Sequence, residues 1–363
     1  MLDEKILPIG IDLGTSTIKV SCYKGQILNK IPSIIGDPNP GFTGLLIDKS
    51  LLNNLVLREK NRSYYVGELA RLQSDVRRPI ASEGKVRNTN LSVLAIKAAL
   101  SIIEEEMAGN NNKELVIATG VPIATSREEM KKISAAVTGS HKIHVINDAT
   151  EQEKKYQFNI RRCFVLPEPF GCYYRMLVLK GEQRAVDSVI IDIGHGSTDI
   201  LSIYSGRMMR MASGSIVEAV DTLTERISRA LTEQANKIIR PYELMRTIET
   251  GQDTLQIGNE ILDISSAKHY YIQAIARIIA DEVTKLVGTL PPDAWIEEML
   301  LTGGGAHIFA DEIKKELVEL QVIVHENEIS VPEDPVMANA LGFEMIAEKR
   351  TEQISEQLIK EFM

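Results

Sequence analysis

The chain has 363 residues, too many for one hydrophobic core, so two domains are expected. Its net charge of −9 argues against broad nonspecific binding to nucleic acid or to an acidic membrane, while 44% hydrophobic and 25% charged residues are ordinary for a folded protein. Three cysteines without a CxxC pair argue against a disulfide or metal framework and fit a reducing cytoplasm.

The first residues, MLDEKILPIG, are not a basic-then-apolar signal, and no apolar run reaches the roughly 18 residues of a membrane span. Residues 9–25 read IGIDLGTSTIKVSCYKG: an apolar strand ending in Asp12, a glycine turn rich in hydroxyls, and a β-rich run closing at Gly25. This predicts a hairpin, with a third strand over 26–31. Over 32–90, Pro32, Gly36, Pro38, Pro40, Gly41 and Gly44 separate short apolar runs and predict a smaller inserted subdomain with a strand at 64–66. Leu91, Leu94, Ala95, Ala98 and Ile102 recur at helical spacing and predict a helix over 90–107, capped from residues 88–90. A buried strand is expected at 114–118. A helix follows at 126–137, with Ser126 as cap and Glu128 and Glu129 in its first turn.

Strands are expected at 142–146 and 163–166, then a helix through Tyr174 and Leu177. Residues 189–206, VIIDIGHGSTDILSIYSG, echo the first hairpin. Helices are expected at 214–233, at 241–249 with Pro241 in the first turn, and at 270–287. A strand at 296–301 runs into Gly303, Gly304 and Gly305, and helices follow at 311–320 and 339–349. Ile354, Leu358, Ile359 and Phe362 have helical spacing and predict a docked terminal helix. Strands alternate with helices, so the fold class is α/β.

A triphosphate with Mg²⁺ requires N–H donors, hydroxyls, and carboxylates that hold the metal directly or through its waters. The turn Asp12-Leu13-Gly14-Thr15-Ser16-Thr17 offers all three. Lys19 shares the strand face of Thr17 and can reach a β- or γ-phosphate as a point charge. Asp192-Ile193-Gly194-His195-Gly196-Ser197-Thr198 offers a second such turn. Neither is a P-loop, because no GxxxxGK[ST] is present. Neither is a Rossmann fingerprint, because β-formers follow the glycines. One Asp-x-Gly turn alone is commonly structural; two of them, with a strand-to-GGG element, carry the nucleotide reading.

On these motifs the chain resembles the superfamily of actin and heat-shock-chaperone ATPases, which includes sugar kinases. Five segments are similar to its signatures and stand in its order: DLGTSTIK at 12–19 and DIGHGST at 192–198 to the phosphate loops, PEPFGCYY at 167–174 and ANALG at 338–342 to the connecting segments, and LTGGGA at 301–306 to the adenosine motif. Compact size and VIATGVP at 116–122 make it most similar to plasmid-segregation actins of the ParM type. There is no room for the chaperones' further peptide-binding domain, and no sugar pocket or catalytic Asp of a kinase is located.

The resemblance implies a two-domain actin-like fold, each domain a mixed sheet flanked by helices. Domain I would cover 1–167 and the terminal helix at 338–363, domain II 168–337, with inserted subdomains over 32–90 and 215–284. It implies ATP, with GTP as the alternative, and Mg²⁺ held through water by Asp12 and Asp192. Gly14, Thr15, Ser16, Thr17 and Lys19 would cradle phosphate from one side, and Gly194, His195, Gly196, Ser197 and Thr198 from the other. Glu168 would polarise the attacking water, a chemically sensible task for a carboxylate. Gly303, Gly304 and Gly305 would admit the adenosine, with Arg246 beside the base. His195 departs from the glycine that many relatives carry.

Two functions remain open at this point. One is a cytomotive filament for plasmid DNA segregation: head-to-tail self-contacts do not close, so they make filaments, and the acidic charge calls for a DNA-binding adaptor rather than direct DNA contact. Segments 36–62 and 205–270 are candidates for polymer contacts. The other is a non-polymerising member, a metabolite kinase or a reactivating or scaffold ATPase, for which Asp199 is a poor acceptor base.

Overall fold

The computed structural model describes residues 6–39, 48–59, 61–80, 88–106, 114–235 and 237–362. Pro40, Gly41, Gly44 and the side chains of Ile354, Leu358, Ile359 and Phe362 lie outside the described residues. The chain divides into two compact units, Met1–Arg175 with Asn339–Met363, and Met176–Ala338.

The first unit opens with β1 (Ile6–Leu13), β2 (Thr17–Cys22) and β3 (Ile27–Pro32), an antiparallel meander. Then come β4 (Ile34–Gly36), β5 (Leu55–Glu59), β6 (Arg62–Val66), α1 (Glu68–Gln73), β7 (Arg77–Pro79), α2 (Thr89–Glu106), β8 (Glu114–Val121), α3 (Arg127–Val137), β9 (Gly139–Asn147), β10 (Gln152–Pro167) and α4 (Phe170–Lys180). One sheet runs β3-β2-β1-β8-β10-β9-β5-β6-β4-β7, with β1, β8 and β10 parallel. The second unit holds β11 (Ser188–Ile193), β12 (Thr198–Tyr204), β13 (Arg207–Met208), β14 (Gly214–Ile216), α5 (Val220–Ala235), α6 (Pro241–Glu249), β15 (Thr254–Ile257), β16 (Glu260–Asp263), α7 (Ser265–Val287), β17 (Glu298–Thr302), α8 (Ala306–Glu319) and β18 (Ile329–Ser330). Its sheet runs β13-β12-β11-β17-β18, with β14 on β12 and with β11, β17 and β18 parallel. The chain closes with α9 (Ala338–Phe362), which belongs to the first unit from Asn339 on.

Strands covered on both faces read as continuous apolar runs. In β8, Leu115, Ile117 and Val121 join a core with Ile9 and Ile11 of β1 and Ala95 and Ile102 of α2. The alternate residues Val116 and Ala118 pack instead with Phe343, Ile346 and Ala347 of α9. The helices start where the side chains dictate. Ser126 Oγ accepts the Glu129 N–H at 3.2 Å while Glu129 Oε2 accepts the Ser126 N–H at 3.0 Å, a capping box on α3. Asn88 Oδ1 accepts the Asn90 N–H at 3.0 Å at the start of α2.

The connecting segments α4 and α9 meet in the first unit. A Cβ on Gly342 would overlap the Gly171 carbonyl, and Asn339 Oδ1 accepts the Cys172 N–H at 2.9 Å. One turn further along α9, the buried Glu344 grips the β2–β3 turn. Its carboxylate accepts from Ser21 Oγ at 2.5 Å, from the Gly25 N–H at 3.0 Å, and from the Lys24 N–H. Burial pushes the Glu344 carboxyl up, although these bonds pull it down.

The helices expected from 270 and 311 begin earlier, at Ser265 and Ala306, and three further stretches differ from the sequence expectations or lie outside them. Residues 214–216 are not the start of a helix: they pair with β12, and the helix begins at Val220. The β-branched pair Ile216-Val217 serves a short strand as well as a helical face. The strand expected at 163–166 begins at Gln152, because Tyr156 and Phe158 alternate inward along an otherwise polar run. Residues 254–263 form the hairpin β15–β16 around Gly258 and Asn259, with Gly258 at φ 60°.

Candidate functional site

In each unit the sequence places a glycine turn at the carboxyl end of parallel strands, where open α/β sheets bind ligands. In the first unit, β1, β8 and β10 are successive parallel neighbours. Asp12 stands near the end of β1, Gly120 near the end of β8, and Glu168 directly after β10.

Asp12 faces Lys19 across the β1–β2 hairpin, and Lys19 Nζ lies 2.7 Å from Asp12 Oδ2. Asp12 is only 3% exposed and the Lys19 side chain is 16% exposed, so the ion pair is partly buried. A Cβ on Gly14 would sit 2.6 Å from the Thr17 carbonyl and 3.5 Å from Lys19 Nζ. The glycine therefore permits the tight turn, and the ammonium lies beside it. Thr15, Ser16 and Thr17 are half-buried around the same turn, and the Ser16 carbonyl accepts the Ser33 N–H at 2.7 Å.

Glu168 is half-buried, and its N–H donates to the Val121 carbonyl at 2.9 Å. Its stem crosses Gly120: a Cβ there would come within 2.7 Å of Glu168 Cγ and 2.9 Å of Phe343 Cζ. Gly120 is thus the residue that lets a carboxylate lie across the end of β8.

The β11–β12 hairpin has the same register with different chemistry. Asp192 faces Asp199, and the Gly194 N–H donates to the Ser197 carbonyl at 2.8 Å to close the turn. The two carboxylates are 8% and 3% exposed. Ser197 Oγ lies 3.4 Å from Asp199 Oδ2. Thr198 is buried, and its hydroxyl donates to the Glu218 carbonyl at 2.6 Å, fastening the turn to the segment before α5. His195 is half-buried, with Nε2 3.7 Å from Asp221 Oδ1 at the start of α5, and Gly196 is buried.

The glycines after β17 are packing residues as well as candidate ligand contacts. Gly303 has φ 87°, and a Cβ on it would overlap Asp192 Oδ1. A Cβ on Gly305 would overlap Ile193 Cγ2, and the Gly305 N–H donates to the Ile193 carbonyl at 2.8 Å. Gly304 alone faces open space. Arg246 is exposed in the last turn of α6, where the helix dipole favours a cation. Residue spacing alone gave no reason to single out Asp221 or Glu218. Asp199 was open to detection, since it follows Asp192 at the interval by which Lys19 follows Asp12.

Among the described residues no group of three or more His, Cys, Asp or Glu side chains is placed to hold a metal ion. Mg²⁺ does not require one, because it keeps its waters and binds through one or two carboxylates plus substrate phosphates. Asp192 and Asp199 stand opposite each other beside the second turn, two carboxylates of the kind that meets a hydrated ion. The donor set therefore fits a hydrated cation brought in with an anionic ligand.

Two protein-family profiles match the chain, "Actin like proteins N terminal domain" over residues 10–171 and "Archaeal actin homologue MreB-like, C-terminal" over residues 190–315. The chain belongs to the actin-like protein family. Both glycine turns with Asp12, Lys19, Asp192 and Asp199, and also Glu168, Arg246 and the three glycines, fall inside the matched regions. The Actin-like protein MamK of Paramagnetospirillum magneticum (strain ATCC 700264 / AMB-1) is 20% identical over 371 residues, covering 96% of this chain and 94% of MamK. A 15-stranded ParM filament from Clostridium botulinum has a subunit of TM-score 0.74 and 16% identity, covering 95% of this actin-like chain and 99% of that one. Ta0583, an archaeal actin homolog, in complex with ADP gives a TM-score of 0.68 at 19% identity, with 95% and 99% covered. No helix among the described residues is long and apolar enough to cross a membrane.

Proposed function

We propose that this actin-like chain is a Mg-dependent ATPase that assembles into filaments with bound nucleotide, and that its task is to move plasmid DNA in the cytoplasm. The observation that carries the reading is the repeated hairpin, with a buried carboxylate and a glycine turn at the carboxyl end of parallel strands in each unit. Mg²⁺, when bound, neutralises charge on the phosphates. Asp12 and Asp192 would hold it through its waters, and Lys19, beside the Gly14 turn, would exchange Asp12 for a phosphate oxygen. Thr15, Ser16, Thr17 and Ser197 supply hydroxyls, and the two turns supply N–H donors. Glu168 orients a water and accepts its proton as the phosphoryl group departs. Gly303, Gly304 and Gly305 let the backbone approach the adenosine, with open space at Gly304, and Arg246 lies beside the base. ATP is the nucleotide of this reading, with GTP the alternative.

Self-association follows a head-to-tail, non-closing contact. The similarity to a ParM filament supports it. Net charge of −9 supports a DNA-binding adaptor as the link to cargo. The test is sedimentation and light scattering with Mg-ATP, Mg-GTP, Mg-ADP and no nucleotide, with phosphate release followed in the same tube. Nucleotide-dependent pelleting that decays as phosphate accumulates is the expected result. Hydrolysis without polymer across salt and protein concentration would move the assignment to a metabolite kinase or a reactivating ATPase.

A further inference from the structure

The first hairpin carries its cation on the strand, where Lys19 faces Asp12; the second has Asp199 at that register. The second turn carries its basic group within the loop instead. His195 occupies the position that Thr15 holds in the first turn, one residue after the glycine. Its ring is addressed by a carboxylate: Nε2 lies 3.7 Å from Asp221 Oδ1, with the two side chains 24% and 29% exposed. The same residue fixes the backbone, because the Asp221 N–H donates to the His195 carbonyl at 2.8 Å. Asp221 lies in the first turn of α5, where the helix dipole favours a carboxylate. Glu218 has a cation of its own, its Oε1 lying 2.6 Å from the Arg226 guanidinium. The charged groups on the elements packed against the turn are thus Asp192 and Asp199 on the hairpin, and Asp221, Glu218 and Arg226 at α5.

We infer that Asp221 is a positioning residue that holds His195 as the second turn's donor to a terminal phosphate, so that this hairpin distinguishes a nucleoside triphosphate from a diphosphate. The inference rests on the reading of this turn as a phosphate site. With the Asp221 carboxylate beside Nε2, the other edge of the ring is the one left to meet a phosphate oxygen. A hydrogen bond to a charged phosphate is worth about 10- to 100-fold in affinity. That gain falls on the nucleotide that has the extra phosphate.

The test is equilibrium binding of Mg-ATP and Mg-ADP to the full chain as wild type, His195→Ala, Asp221→Asn, Asp221→Glu and the double variant His195→Ala/Asp221→Asn. The expected result is an ATP-to-ADP preference lowered about tenfold or more in His195→Ala and Asp221→Asn, because ATP affinity falls more than ADP affinity in both. The double variant should be no worse than the weaker single, because the two residues act as one unit. Asp221→Glu, which keeps the carboxylate, should retain most of the preference. A wild-type preference in both single variants, or additive losses, would overturn the inference while leaving the ATPase reading intact. Wild-type protein that binds neither nucleotide would overturn both.

Discussion

The two hairpins share a register and differ in charge. At the first, the buried carboxylate Asp12 meets Lys19; at the second, the buried carboxylate Asp192 meets Asp199. The first pairs a carboxylate with a cation, and the second sets two carboxylates face to face. Duplicated backbone geometry thus carries different side-chain chemistry, and the basic residue of the second turn, His195, lies in the loop beside Asp221 instead of on the strand.

That contrast can be broken by substitution. The largest effect is expected from Asp12→Ala and Asp192→Ala, each of which should abolish Mg-dependent phosphate release; normal turnover in both would remove the site assignment. Glu168→Ala should slow phosphate release by roughly 10²–10⁴-fold, the usual general-base contribution, and keep nucleotide binding. If binding is lost too, Glu168 is a structural residue over Gly120. The hairpins should respond oppositely when the facing residue is changed in the free protein. Lys19→Ala takes the ion-pair cation from Asp12 and should cost about 1–3 kcal/mol in chemical denaturation. Asp199→Asn removes one of two opposed like charges and should gain up to about 1 kcal/mol. Losses of similar size in both would erase the distinction.

The smallest effect is expected at Glu344, outside both turns. Its carboxyl is raised above the ordinary value by burial, so the folded state binds its proton more tightly than the unfolded chain. Its contribution to stability is therefore fully present below the unfolded value and is lost as pH rises through the folded one. Glu344→Gln should flatten that decline in melting temperature across the acidic range. An unchanged slope would show that the carboxylate is ionised there without penalty.

What was legible in the sequence was local. Asp12, Gly14 and the hydroxyls declare a turn because four adjacent residues define it, and the same holds for residues 192–198. Ser126 declares a helix start through Glu129, three residues on. Contacts between distant segments were not legible. Nothing near Gly120 announces that Glu168 and Phe343 press on it, and nothing near Gly303 and Gly305 announces that they interlock with Asp192 and Ile193. At Gly303 and Gly305 an added Cβ would meet those partners, while at Gly304 it would meet open space. The Thr198 hydroxyl reaches a carbonyl partner, Glu218, that lies beyond an intervening strand and loop. Residues 214–216 read as helix because a short strand and a helix start share the same apolar letters, and pairing with β12 decides between them.

The central claim is that both hairpins handle the phosphates of a nucleotide. Calorimetric titration of Mg-ATP into wild type, Asp12→Ala and Asp192→Ala tests it most directly. The account predicts saturable binding by the wild type, lost or severely weakened in each variant. Wild-type affinity retained in either variant would contradict it.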